Sequence, residues 1–243
     1  MPRKNETPLR APDALTEAPA QPPRARRTQA ERVAESDRKI LDAATLLIAT
    51  QGYSATTLEA IGSEAGYSRQ LVAQRFGSKD KLLRDVIDRH GDMLRARAES
   101  LRHNRAGLEA LYSEIDSYLR AMDSPSIQSR AFFVLMLESI GPAAQFRQAF
   151  ADITARWEKS LLGQIAQAQA QGAMRPDVDA RTEARLLIAA LRGVRIQSMM
   201  DPPASDVPAA INAIKVALAE RLLARTPPAT GTAVAKRAPA KPR

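Results

Sequence analysis

Five polar residues within eight positions, Ser68, Arg69, Gln70, Gln74 and Arg75, carry the strongest chemical signal in this sequence. On a helix opening at Ser68 they share one outward face, while Val72 and Phe76, four apart, turn inward. A guanidinium matches the edge of guanine and a carboxamide that of adenine through paired hydrogen bonds, so these residue types in this pattern suit the major groove of duplex DNA. Ser68, Lys79 and the start of the helix after Thr57 suit phosphate oxygens. Tyr67, in the turn between the two helices, is a further DNA-binding candidate. A solvated helix face would carry the same residues, so the charge around them matters. Residues 66–81 hold four basic groups against one acidic group, whereas 31–90 hold nine of each. DNA binding here therefore requires the acids at 31, 35, 37, 42, 85 and 88 to face elsewhere.

Other chemistries are poorly supplied. The 243 residues include no Cys and two His, which excludes disulfides, thiolate metal sites and a Cys nucleophile and leaves little for a His-based site. Carboxylates such as Glu59, Glu64 and Asp85 have no recognisable catalytic partner, and no GxxxxGK[ST] phosphate loop is present. The sequence thus predicts a non-enzyme with no catalytic residues, no metal and no cofactor. No run of 18 apolar residues exists, so no membrane span is expected. The first 30 residues contain no apolar block of the secretory kind, which makes the cytoplasm the default compartment.

The net charge of +9 is unevenly spread: residues 1–30 contribute +3 and 226–243 contribute +4. The same ends hold ten of the 16 Pro. Such Pro-rich basic stretches cannot bury a core and are expected to be disordered arms, either solubilising or adding nonspecific attraction to phosphate. The body between them is rich in helix formers and shows no alternating strand pattern. Apolar spacing predicts helices over 37–50, from Thr57 to Ala65, from Ser68 to Phe76, from Ser78 past Leu94, and over 106–122, 126–140, 143–171, 179–200 and 207–224. The fold class is all-α, with about nine helices. The centre of 126–140, Phe132 to Leu137, is apolar all round and is expected to be buried on every side. Around Gly66 the order is helix, tight turn, helix, the arrangement of a helix-turn-helix.

The segments Arg38 to Ala44, Gly52 to Leu58, Ile61, Ala65 to Ser68, and Phe76 to Leu83 together resemble the opening of a TetR-family repressor over about 50 residues, in the family's order and spacing. The resemblance implies an all-helical homodimer. An N-terminal helix-turn-helix domain, here 36–96, would bind double-stranded DNA at a palindromic operator. A C-terminal domain, here 104–225, would bind a small-molecule effector and dimerise through its last two long helices. By position, Thr57, Ser68, Arg69, Gln70, Gln74, Arg75 and Lys79 fall on the family's DNA contacts. Ala73 stands where the family usually has Tyr and Arg75 where it has Tyr or His. An aromatic phosphate contact is thus missing, and Arg75 is expected to replace part of it.

The resemblance weakens after about residue 100. The bulky residues Tyr112, Phe132, Phe133, Met136, Phe150 and Trp157 either pack a core or line an effector cavity, which would be mostly apolar. Glu138 and Arg147 could orient a polar ligand there or lie on the surface. The stretch 171–179 reads as a helix stop and restart. Arg181, Arg185, Arg192 and Arg195 punctuate 179–200, and this helix with 207–224 could form a four-helix seam between subunits or be buried within one. The rival readings are a DNA-coating protein driven by its basic ends and a helical adaptor.

Overall fold

The computed structural model describes residues 28–102, 105–120, 126–202 and 206–223. The basic, Pro-rich ends for which disorder is expected lie outside the described residues, apart from 28–30. The described residues form nine α-helices and one short 3-10 turn. The first four helices are α1 (Gln29–Ala55), α2 (Leu58–Ala65), α3 (Arg69–Phe76) and α4 (Lys79–Arg102). They are followed by α5 (Gly107–Arg120), α6 (Ile127–Glu138), the 3-10 turn (Ala144–Phe146) and α7 (Arg147–Ala170), then α8 (Ala180–Met200) and α9 (Val207–Leu222).

Helix α1 begins earlier than its apolar spacing indicates. Thr28 and Glu31 form a reciprocal capping box, with Glu31 N–H to Thr28 Oγ1 at 3.2 Å and Thr28 N–H to Glu31 Oε2 at 2.7 Å. Near its other end Gly52 adopts φ 75°, ψ −176°, which breaks the helix before one last turn. Thr57 caps α2 and Ser68 caps α3, each accepting from the N–H three residues on, at 3.1 and 3.2 Å. The α2–α3 turn is tight because Gly62 lets the chain fold onto it: a Cβ there would lie 2.7 Å from the Tyr67 carbonyl oxygen.

Two apolar clusters fill the interior. The first joins Ile40, Ala44 and Ile48 of α1 to Ile61, Val72, Leu82, Leu83 and Ile87, and continues into Phe132, Phe133, Leu135, Phe146 and Phe150. The second packs Leu111, Ile115 and Leu119 of α5 against Leu161 and Ile165 of α7, Leu187 and Leu191 of α8, and Ile211, Leu218 and Leu222 of α9. The clusters therefore do not divide near residue 100: α6 belongs with α1–α4. Tyr118 packs against both.

Helix α6 is not buried on every side. Leu137 is 47% exposed, and Ile140, just beyond the helix, is 76% exposed, because α6 is covered by α1 on one side and runs out to the surface at its end. The stretch 171–179 is a turn, tied by Gln169 Nε2–H bonds to the carbonyls of Arg175 and Val178, both 3.0 Å.

Candidate nucleic-acid interface and the cavity beside it

Local rules hold α3 in place. The Ser68 cap fixes its start, Val72 is fully buried beneath it, and Phe76 packs on the first cluster. Its other face is open: Ser68, Arg69, Gln70, Gln74 and Arg75 are exposed. Among the described residues the side chains of Arg69, Gln70 and Gln74 make no hydrogen bond or ion pair, so their donors and acceptors point to solvent. Tyr67 is half-buried against the first cluster.

Two candidates sit differently from expectation. Arg75 leans back on α1, with Nη1 3.7 Å from Asp37 Oδ1 and Nη2 3.5 Å from Ser36 Oγ. Asp37 is one of the acids expected to face elsewhere; it is at the end of α3 instead. Lys79 is half-buried, its Nζ donating to the Tyr53 carbonyl at 3.1 Å and lying 3.7 Å over the Tyr53 ring. Both side chains are tethered where sequence spacing alone leaves them free, because each meets a partner from a residue far away in the chain.

Tyr53 is the centre of a junction that sequence reasoning missed. The Gly52 break releases the Tyr53 N–H, which donates to Glu138 Oε2 at the end of α6, 2.8 Å away. The Tyr53 hydroxyl donates to Asp80 Oδ1 at 2.9 Å, and Gln145 Nε2 donates to the same oxygen at 3.2 Å. The ring meets Phe146 edge-on, centroids 5.8 Å apart. Burial, then Asp80, pushes the phenol pKa up. Glu138 is thus a strut between α6 and α1, and it is not among the residues that line the cavity between α4, α5 and α7. Arg147 reaches the Ser139 carbonyl at 3.4 Å, also a local tie. The one sequence signal for this junction was Gly52, readable only as a helix stop.

Of the six bulky residues offered for an effector cavity, Trp157 alone lines the cavity between α4, α5 and α7. Phe132, Phe133 and Phe150 form edge-on ring contacts inside the first cluster, and Met136 packs against it. Tyr112 borders shallow hollows near the surface, with Lys215 Nζ 5.5 Å from its ring centroid. The cavity, about 470 Å³, lies between α4, α5 and α7. Leu94, Ala98, Ile153, Tyr118 and Trp157 give it apolar and aromatic walls, the last two rings stacked with centroids 4.9 Å apart. Glu114, 5% exposed, accepts from Trp157 Nε1 and Gln164 Nε2, both at 2.6 Å. Burial pushes the Tyr118 phenol up to about 12, against the pull of Arg192 and Arg195. His90, behind Gly91 of the cavity wall, is lowered to about 4 by burial and by Arg195. Apolar residues alone could not separate core from cavity, since both use the same side chains; the polar Glu114 was the better signal.

Among the described residues no group of three or more His, Cys, Asp or Glu could hold a metal ion, and no helix is long and apolar enough to cross a membrane.

Residues 40–86 match the sequence profile described as bacterial regulatory proteins, tetR family, and 114–224 match that described as BetI-type transcriptional repressor, C-terminal. The chain is 29% identical over 153 residues to the HTH-type transcriptional regulator HbdR of Aromatoleum sp. (strain CIB), covering 61% of this chain and 64% of that protein's length. Solved structures share the fold as well. A TetR transcriptional regulator from Chloroflexus aurantiacus superposes with a TM-score of 0.71 at 19% identity, over 79% of this chain and 99% of that one. A regulator from Saccharomonospora viridis in complex with choline gives 0.67 at 24% identity, over 79% of this chain and all of that one (100%).

Proposed function

Because the chain belongs to the TetR family, its two matched segments spanning well over half its length, we propose that it is a regulator, acting as a repressor, that binds a palindromic operator as a homodimer. Residues 36–96 are taken as the DNA-binding unit and 104–225 as the effector-binding and dimerising unit. The observation that carries the proposal is the outward face of α3. Arg69, Gln70 and Gln74 stand exposed on a helix that is capped at Ser68 and seated on Val72. Side chains with no partner of their own are the ones that can pair with base edges. Thr57 and Ser68 lie at helix starts, where a phosphate is attracted by free N–H groups.

Two-fold symmetry would place one α3 in each of two successive major grooves. Helices α8 and α9 supply the seam: Leu186 and Val216 are large apolar side chains left half open, 50% and 45% exposed, on the two helices concerned. The effector site is the cavity between α4, α5 and α7. Helix α4 gives that cavity one wall around Leu94 and Ala98, and near its start Leu82 and Leu83 lie in the cluster that seats α3. A ligand that moves α4 would therefore change the spacing of the two α3 helices and weaken DNA binding. The choline held by the Saccharomonospora relative supports a small-molecule effector as a class.

A footprint and gel-shift titration on the DNA next to the protein's own gene tests the proposal. A two-fold symmetric protected site is expected. Arg69→Ala with Gln70→Ala should weaken binding by about 1–3 kcal/mol for each base whose paired hydrogen bonds are removed. An unchanged affinity in that double variant would show that α3 does not read the bases.

A further inference from the structure

The charges around the α4–α5–α7 cavity are not balanced, and they indicate what enters it. At its mouth Arg95 is matched by Asp92 at 3.1 Å. Arg97, Arg156 and Lys159 also border the mouth, and among the described residues none of the three forms an ion pair. Arg97 is held in place instead, its Nε–H donating to Ser117 Oγ at 3.0 Å. Glu99 is the one further acid at the rim. Behind the aromatic wall the sign is the same. Arg192 lies 5.7 Å from the Trp157 ring centroid and donates to Thr154 Oγ1 at 2.8 Å. Arg195 is 3% exposed, and among the described residues neither arginine forms an ion pair. Two such charges in a low-dielectric interior project a positive potential through the Tyr118–Trp157 wall.

The opposing charges are Glu99 at the rim and, inside, Glu114. Its carboxylate lies deep between α5 and α7 and is bound at both oxygens, by Trp157 and Gln164. With Glu99 it makes two acids against Arg192 and Arg195 behind the wall and three cations at the mouth.

Resting on the reading of this cavity as the effector site, we infer that its ligand is an anionic amphiphile: an apolar body lies along Leu94, Ala98, Ile153 and Trp157, and a carboxylate or phosphate head is held at the mouth by Arg97, Arg156 and Lys159. An apolar compound with no charge would leave the rim unused, and an ammonium would meet the same cations that favour an anion. The head stays partly in water, so its attraction is salt-sensitive.

Trp157 is the one tryptophan in the chain, which makes its fluorescence a direct reporter of occupancy. Titration at low ionic strength with 4-phenylbutanoate, 4-phenylbutanol and 4-phenylbutylamine compares one skeleton in three charge states. The butanoate is expected to bind on the order of tenfold more tightly than the alcohol, with the amine weakest, as several partly exposed charges acting together allow. The double variant Arg156→Gln, Lys159→Gln alters two side chains with no ion-pair partner among the described residues, so it should keep the parent circular dichroism spectrum. In it the butanoate should fall to within about twofold of the alcohol, while the alcohol is unchanged. Equal affinities for all three probes would overturn the charge assignment and leave the cavity as an effector site. The amine binding tightest, with its advantage abolished in Glu114→Gln, would assign the cavity to cations instead. A butanoate preference that survives the double variant would refute the role of the rim. No change in Trp157 fluorescence with any of them would overturn both the inference and the cavity reading.

Discussion

Gly52→Ala is the sharpest test of how α6 is fastened to α1. The backbone at Gly52, φ 75° and ψ −176°, lies in a region essentially reserved for glycine. An Ala held there costs about 1–3 kcal/mol in strain. A Cβ would also lie 2.5 Å from Glu138 Oε1, so the carboxylate must move and give up the Tyr53 N–H that it now holds at 2.8 Å. A hydrogen bond to a charged acceptor contributes about 1.5–3 kcal/mol. Together these put the loss at about 2.5–6 kcal/mol, the strain and the bond each counted once. Glu138→Ala alone removes the bond without the strain and should cost about 1.5–3 kcal/mol. The double variant should cost little more than Gly52→Ala, because the bond is broken only once and the clash with the carboxylate disappears. Urea unfolding of the full chain measures all three stabilities, and circular dichroism checks that the native helix content is kept. A Gly52→Ala protein within about 0.5 kcal/mol of the parent, the range of an ordinary surface change, would refute the strut. So would simple addition of the two substitutions, since the structure joins them through one carboxylate.

Three other outcomes follow from particular side chains. Asp37→Asn removes the charge that holds Arg75 against α1; operator affinity should rise, and its logarithmic salt dependence should steepen by about 0.9 per subunit if Arg75 then reaches a phosphate. An unchanged slope in gel-shift titrations would show that Arg75 does not gain a phosphate when released. His90 titrates at about 4 in the folded chain against about 6.5 when unfolded, so the unfolded chain takes up the extra proton and stability is lost as pH falls below about 6.5. Between pH 7.5 and 5.5 this one residue should account for a loss of about 1.4 kcal/mol, which His90→Gln should abolish in paired denaturant titrations; equal losses in the two proteins would contradict it. Removal of residues 1–27 and 224–243 should leave the footprint intact and lower only nonspecific, salt-sensitive binding. Loss of the footprint itself would instead favour a DNA-coating role for the basic ends.

Much of the architecture was legible in the sequence because it rests on local rules. Thr57 and Ser68 cap, Gly66 ends a helix, and apolar residues recur at helical spacing, so the helix-turn-helix and the outward set Arg69, Gln70 and Gln74 could be placed from the chain alone. What was not legible depends on partners far apart. Asp37 and Arg75 are 38 positions apart, and Tyr53 and Glu138 are 85 apart. No spacing rule predicts that such pairs meet. The α4–α5–α7 cavity lies apart from most of the bulky residues for a related reason. Phe132, Phe133 and Phe150 are bulky, but bulk that interlocks fills space, and the cavity opens elsewhere, where Ala98 and Gly163 leave room. The length of α1 was underestimated because its first two turns are polar and held by the Thr28–Glu31 box, not by burial.

The first apolar cluster runs without interruption from the helices beneath α3 into Phe132, Phe133 and Phe150. The part that would touch DNA consequently has no foundation of its own. Cut away near residue 100, it would leave an oily face bare and lose the keystone at Glu138. Grafting this head onto a foreign sensor would have to carry α6 along with it, so the natural unit of exchange is larger than the binding motif.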